Sequence, residues 1–476
     1  MVTESSRGTA AAADGGRTIT DAERITARLD RLPMTRSMWT IALLVTFGGL
    51  FDAYAIGLIG ALGPGLFKAR IFTPTTASFF GMTGFASFIS VFFAGLFVSA
   101  LFVSYIADHF GRRSVFAFAL LWFGVANFLM GLQNTANSVN VWRFIAALGI
   151  GLELVTVDAY LSELVPKQAR GMMFGFLQVM GATAFFLAYL LSWQLIPIAP
   201  FGLDGWRWVT WIGSIAAVVI WWIRLGVPES PRWLAQQGRL DEAEQVMSSI
   251  EARVQAESGR PLAEPQPPAY HDPRQGSIME IFSPRFIKRT IMLVGFNFFQ
   301  TVGFYGFVAW APTLLIAKGI HVTQSLEYSM VINITGVAFS AAIMLFADRL
   351  ERRVHCAASC FLIAVFGIWF ANVASPAALV VLGACLAAST QWLAYALHNY
   401  QAELYPTRIR ARAVGFVYSW SRLSGILTPF FVAFFLRNWG ATGVFAFVAF
   451  CMAVVILLVL TLGPRTTTLQ LEAIAA

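Results

Sequence analysis

The chain has 476 residues, of which 58% are hydrophobic and only 12% are charged, and 33 Lys and Arg against 25 Asp and Glu leave a net charge of +8. Soluble domains carry about 25% charged residues, so the composition excludes an ordinary soluble enzyme and a disordered protein. The basic residues are scattered between apolar blocks and form no patch, which argues against a nucleic-acid partner despite the net charge.

Residues 1–20 are polar and rich in Ser, Gly and Ala, and read as a tail with no cleavable signal. Ile25, Leu29 and Leu32 then share one face of a short helical stretch that Pro33 ends. That amphipathic stretch is expected to lie along the inner membrane surface. Twelve apolar blocks follow, each suited to cross a bilayer, which takes about 20 residues as helix. The first six run Trp39–Ala61, Ala77–Ile106, Val115–Leu132, Trp142–Leu164, Gly171–Leu191 and Trp206–Leu225. The second six run Ile291–Ala311, Tyr328–Phe346, Cys356–Ala374, Ala377–Asn399, Val414–Phe435 and Gly443–Leu462. The fold class is therefore an all-α membrane protein, divided as a cytoplasmic tail 1–38, a six-helix half 39–225, a linker 226–288, a second six-helix half 289–463 and a tail 464–476. Cys356, Cys360, Cys385 and Cys451 lie in or beside apolar blocks without metal spacing and read as small packing residues.

Basic residues set the orientation. Lys68, Arg70, Arg143, Arg207, Lys318 and Arg437 fall at or near the outer side and Arg422 inside a span, while all the other Lys and Arg fall on the inner side. Both termini are therefore expected in the cytoplasm.

The two halves repeat one another. Asp108, Arg112 and Arg113 follow span two, and Asp348, Arg352 and Arg353 follow span eight, 240 positions later. Glu163, Pro166 and Arg170 close span four, and Glu403, Pro406 and Arg410 close span ten at the same offset. Two related halves of parallel topology imply a site at their interface near the bilayer midplane, and rocking of one half against the other. In the linker, Leu240–Val254 is expected to form an amphipathic helix with Ala243, Val246, Met247 and Ile250 on one face, and Pro261–Pro273 a Pro-rich loop.

These residues resemble the major facilitator superfamily from about Leu29 to Leu471. Its loop motif GxxxDRxGRR corresponds to Ser104-Tyr-Ile-Ala-Asp108-His109-Phe-Gly111-Arg112-Arg113. The run Pro228-Glu229-Ser230-Pro231-Arg232-Trp233-Leu234 matches the PESPRWL signature of the sugar-porter-like branch, and Arg143-Phe-x-x-Ala147-x-Gly149-x-Gly151 resembles its span-four motif. The chain departs from sugar porters at Ala55, where their GYDxG has a carboxylate, and at Ala394-Tyr395-Ala396-Leu397-His398, where they have GPxxW. It is more similar to bacterial nicotinate and metabolite/proton symporters, through Arg31-Leu-Pro33, Phe51-Asp52-Ala53, Tyr305-Gly306, Trp310-x-Pro312-Thr313 and Ala402-Glu-Leu-Tyr-Pro-Thr407. The resemblance implies the twelve-helix major facilitator fold, a monomer in a bacterial inner membrane, and a cytoplasmic gate. Asp108, Arg112, Arg113, Glu163, Arg170, Glu229, Arg232, Asp348, Arg352, Arg353, Glu403 and Arg410 would form that gate through charge-assisted pairs.

A charged side chain inside a span is expensive and a functional candidate by default. Asp52, Glu153, Asp158 and His398 are the proton-coupling candidates. The substrate-binding candidates are Tyr54, Arg143, Gln178, Asn297, Gln300, Tyr305, Asn333, Trp392, Tyr395, Trp420 and Arg422, a set that favours a flat, partly apolar solute over a polyol. Arg422 can clamp a carboxylate bidentately. The chain has no P-loop, no metal constellation and no nucleophile elbow, so no cofactor is expected and transport is secondary rather than ATP-driven. The leading expectation is proton-coupled uptake of a small organic acid or aromatic metabolite by alternating access. A sugar or polyol porter and a drug or metabolite exporter are the alternatives, and intact gate motifs in both halves oppose a non-transporting sensor.

Overall fold

The computed structural model describes residues 21–72, 84–102, 111–224, 226–265, 277–343 and 351–464. The expected gate residues Asp108 and Asp348 lie outside these. The regular structure of the described residues is all helical, with no strand among them. In the first half these are α1 (Asp21–Asp30), α2 (Arg36–Ala61), α3 (Gly63–Lys68), α4 (Gly84–Phe102), α5 (Arg112–Gly131), α6 (Ala136–Leu164), α7 (Arg170–Ile198) and α8 (Gly205–Arg224). The linker supplies α9 (Pro231–Gln236) and α10 (Leu240–Ser258). The second half has α11 (Ile287–Val308), α12 (Ala311–Ala317), α13 (Val322–Ile343), α14 (Arg352–Asn372), α15 (Pro376–Glu403) and α16 (Thr407–Leu462).

The long helices coincide with the expected blocks. α16 holds the last two of them, turned at Gly440, whose φ of 63° and ψ of −158° are the one non-helical pair inside it. A helix satisfies every interior backbone group within itself, which hydrocarbon demands. Large apolar side chains such as Trp222, Ile215, Phe361 and Phe450 therefore stay on the outside of the bundle, where lipid rather than water meets them.

Three of the basic residues expected on the outer side close helix ends. Lys68 Nζ donates to the carbonyls of Ile196 and Pro197 at 3.2 Å each. Lys318 Nζ donates to those of Ala371 (2.7 Å) and Val373 (2.9 Å). Arg207 Nη1 donates to those of Gly131 (2.7 Å) and Gln133 (2.9 Å). The last carbonyls of a helix lack intrahelical partners and carry partial negative charge, so a cation there serves both needs.

The amphipathic helix α1 does not lie on a membrane surface with its apolar face in lipid. Ile25, Leu29 and Leu32 are buried against Trp233, Leu234, Met247 and Ile250 of the linker helices. Ions fix the contact. Arg28 donates to Glu251 through Nε (3.1 Å) and Nη2 (2.6 Å) and also pairs with Glu244, and Arg31 Nη2 reaches Glu251 at 2.6 Å. Asp30 pairs with Arg232 (2.6 Å) and Arg170 (3.4 Å), tying the same helix to the first half. Burial pushes the Glu251 carboxyl up, but its hydrogen bonds from Arg28 and Arg31 outweigh that and hold it below the ordinary carboxylate range. The folded value is depressed, so this contact stabilises the docked helix above that range and loses its contribution as pH falls through it. Glu251→Gln at neutral pH is expected to mimic the acid state. It should weaken docking by about 2 kcal/mol, the scale of a lost charged hydrogen bond, seen as faster hydrogen exchange in α1. Exchange equal to wild type would assign the docking to the apolar contacts alone.

Contacts between the two halves include a tight group at the end remote from the linker. Tyr189 donates its hydroxyl proton to the Val308 carbonyl at 2.8 Å, and Phe85 meets Trp310 edge-on at 5.8 Å. Ser90 donates to the Ile426 carbonyl at 2.8 Å. Gly60 allows this approach, since a Cβ there would stand 2.8 Å from the Val308 oxygen and 2.9 Å from that of Ala309. Near the linker end, Gly171 and Gly415, related by the repeat, both face open space. The halves are closed against each other at the Gly60 end. Gly60→Val is expected to hold the closed end apart. Overpacking costs about 1–3 kcal/mol, so uptake into proteoliposomes should fall by about 5-fold to 150-fold. An unchanged rate would show that this closure is not part of the cycle.

Candidate functional site

A cavity of about 190 Å³ lies between the halves. Ala53 and Ile56 of α2 and Gln178, Ala182 and Phe185 of α7 face it from the first half. Gln300, Thr301, Phe304 and Tyr305 of α11, Ser340 of α13, Gln391, Tyr395 and His398 of α15, and Tyr418 and Ser421 of α16 face it from the second. Helical spacing explains these sets. Residues three or four apart share a face, so Gln391, Tyr395 and His398 stack along one side of α15, as do Gln300, Thr301, Phe304 and Tyr305 along α11.

The wall is amide, hydroxyl and aromatic, and no Asp or Glu is among the described residues that line it. A full charge stands beside it, that of Arg422, half-buried on α16. Its guanidinium lies 4.9 Å from the centroid of the Tyr418 ring and within electrostatic reach of Tyr305 and His398. All three of these residues line the cavity, so its potential is positive at that edge.

The structure thus brings Gln178, Gln300, Tyr305, Tyr395 and His398 to the cavity, with Arg422 beside them. Asn333 lines a smaller adjoining compartment. Other candidates point elsewhere. Tyr54 donates to the Val209 carbonyl at 2.9 Å, because its neighbours Ala53 and Ile56 occupy the cavity face of α2. Asn297 is buried and donates to the Leu293 carbonyl at 2.9 Å. Trp392 Nε1 donates to His355 Nδ1 at 2.8 Å, and Trp420 is not among the lining residues. Asp158 keeps an exposed side chain on α6.

Arg143 is fully buried within the first half. Its guanidinium lies over the rings of Phe92 (4.2 Å) and Phe88 (5.0 Å) and donates through Nη2 to the Ala55 carbonyl at 2.8 Å. Ala55 lies one turn beyond Asp52, itself only 3% exposed, and Glu153 is fully buried on the same helix as Arg143. Three ionisable groups are thus sunk into one half beside the cavity rather than in its wall.

The gate candidates form matched pairs. Arg112 Nε donates to Glu163 at 3.4 Å, and Arg352 Nε to Glu403 at 3.1 Å. Arg170 Nε donates to the Val165 carbonyl at 3.4 Å and Arg410 Nε to the Tyr405 carbonyl at 3.1 Å. Each pair lies 240 positions from its counterpart, and each closes within its own half. Glu229 accepts from the backbone N–H of Arg113 at 3.1 Å, while Arg353 stands beside Arg352 at the start of α14.

Sequence reasoning missed Phe185, Thr301, Phe304, Ser340, Gln391, Tyr418 and Ser421. The three- and four-residue spacing from His398 and Tyr395 back to Gln391 was the available signal.

Residues 41–476 match the family described as sugar (and other) transporter. The chain is 27% identical over 456 residues to the niacin transporter NiaP of Acinetobacter baylyi, covering 94% of this chain and 99% of that protein. It is 28% identical over 448 residues to the inner membrane metabolite transport protein YgcS of Escherichia coli, covering 94% and 96%. Among solved structures it is similar to the inward-open xylose transporter XylE from Escherichia coli, with a TM-score of 0.71, 18% identity and coverage of 92% and 99%.

Proposed function

The chain belongs to the sugar (and other) transporter family, is a multi-pass membrane transporter and not an enzyme, and from that premise we propose that it carries a small organic acid or aromatic metabolite together with protons. The observation that carries this reading is Arg422, a cation at the edge of a cavity whose described wall holds no carboxylate. Such a site attracts an anion before contact and then clamps it by charge-assisted hydrogen bonds. Phe185, Phe304, Tyr305, Tyr395 and Tyr418 supply flat apolar surface for a ring. The name of one relative, a niacin transporter, is consistent with an aromatic carboxylate.

Alternating access follows from the two halves. The halves are closed at the Gly60 end, and the linker lies on the side that carries most of the basic residues and is read as cytoplasmic. Rocking would part Gly60 from Val308. The buried Asp52 and Glu153 are the candidates to take and release the proton, with His398 in the wall as a third. The membrane is read as a bacterial inner membrane and the protein as a monomer.

A second reading, a sugar or polyol porter, is favoured by the amides of Gln178, Gln300 and Gln391 in the wall, which suit hydroxyl groups. A thermal-shift screen of purified protein separates the two, because a ligand stabilises the state it binds. Stabilisation by aromatic or aliphatic carboxylates, varying with pH, is expected. Stabilisation by hexoses or pentoses alone would put the sugar reading first.

A further inference from the structure

His398 lines the cavity from α15, and one of its two ring nitrogens is engaged within the protein. Gln401, one turn further along the same helix, places its amide Nε2 3.5 Å from His398 Nδ1. Gln401 is only 3% exposed and meets the fully buried Asn297 of α11, whose Nδ2 stands 3.5 Å from Gln401 Oε1. Asn297 Nδ2 also donates to the Leu293 carbonyl at 2.9 Å. That short bond sets the direction of the other two. A backbone carbonyl only accepts, so the nitrogen end of the Asn297 amide must face it. The same nitrogen lies toward Gln401, which meets it with its oxygen. The Gln401 nitrogen is thereby turned to His398, and an amide nitrogen only donates. The two longer contacts act here through their polarity, not their strength. His398 Nδ1 is therefore the acceptor, and in a neutral imidazole the proton then sits on Nε2, the nitrogen left for the cavity.

From this we infer that Gln401, oriented by Asn297, is a positioning residue that holds His398 as the Nε2–H tautomer, and that this N–H joins Arg422 in binding the solute's carboxylate. Both groups flank one ring. The Arg422 guanidinium lies 4.9 Å from the Tyr418 centroid, and the His398 ring lies 5.6 Å from it. The opposite tautomer would present a lone pair to the cavity and repel an anion there. The inference rests on the organic-acid reading above and deepens it: the anion meets one charged fork and one neutral donor. A ring held in this way can gain a second proton only at Nδ1, against the N–H of Gln401, which leaves coupling to Asp52 and Glu153.

The test reads the ring nitrogens directly, by solid-state nitrogen NMR of the full-length protein in proteoliposomes with isotope-labelled histidine. His398 is assigned by the signals lost in His398→Gln. At neutral pH and without solute, a protonated Nε2 and a bare Nδ1 are expected. Gln401→Glu turns an acceptor toward the ring and should bring a proton to Nδ1. Asn297→Leu frees the Gln401 amide to turn over and should give a mixture of tautomers. A protonated Nδ1 in the unmutated protein, or a spectrum that Gln401→Glu leaves unchanged, would overturn the positioning role. Benzoate added to the same samples should shift the Nε2 signal. His398→Leu should weaken benzoate binding about tenfold or more, the scale of a hydrogen bond to a charged group, and His398→Gln, which restores a donor, should lose less. Benzoate that binds without moving Nε2 would remove His398 from the anion site. If benzoate does not bind at all, the organic-acid reading fails and takes the anion role of His398 with it, while the tautomer measurement still decides the role of Gln401.

Discussion

Arg422→Gln is expected to weaken the binding of an aromatic carboxylate by about 30-fold to several thousand-fold. Removing one partner of a desolvated, hydrogen-bonded charge pair costs 2–5 kcal/mol, and every 1.4 kcal/mol is tenfold. Arg422 is half-buried, its guanidinium faces the Tyr418 ring, and the described wall offers no carboxylate to compete with a ligand. Arg422→Lys keeps the charge but loses the planar two-pronged geometry, so it should fall between Gln and wild type. The corresponding primary amide, which has the same shape and no charge, should bind all three proteins alike. Equal losses for the acid and its amide would mean that Arg422 shapes the cavity instead of holding the anion.

The second large effect concerns coupling. Asp52→Asn and Glu153→Gln are each expected to abolish accumulation driven by a pH gradient, while exchange of internal for external solute continues. Both carboxylates are buried within spans, at 3% and 0% exposure, where an ionisable side chain is expensive and a functional candidate by default. The amide keeps the shape and cannot cycle a proton. Substrate-driven alkalinisation outside vesicles, read beside counterflow, separates loss of coupling from loss of binding. Full coupling in both variants would remove these groups from the proton path and turn attention to His398.

The sequence revealed what hydrocarbon thickness and the internal repeat impose. The apolar blocks became the long helices, and the 240-residue offset paired Arg112 with Glu163 as it paired Arg352 with Glu403. It was weaker on facing. Helices apolar all round carry no stripe to say which side meets a cavity, so Tyr54 was chosen where Ala53 and Ile56 stand, and Gln391 was passed over beside the more conspicuous Trp392. For α1, sequence showed an apolar face but not its cover, because a membrane surface and the buried side of α10 ask for the same pattern. Arg143 shows the same limit: its position near the outer end of a span was legible, its burial against Phe88 and Phe92 was not.

The turn at Gly440 bears on how the bilayer itself acts on the cavity. The last two spans are one run of helix, Thr407–Leu462, broken at a single residue. Its φ and ψ lie in a region essentially reserved for glycine, and one residue contributes only two soft dihedrals. A longer loop would absorb torsion between two helices; a one-residue turn passes it on. Tilt that the final helix adopts to match membrane thickness is thereby handed to the helix bearing Arg422. Lipid chain length is then expected to bear on the tilt of the helix that carries Arg422.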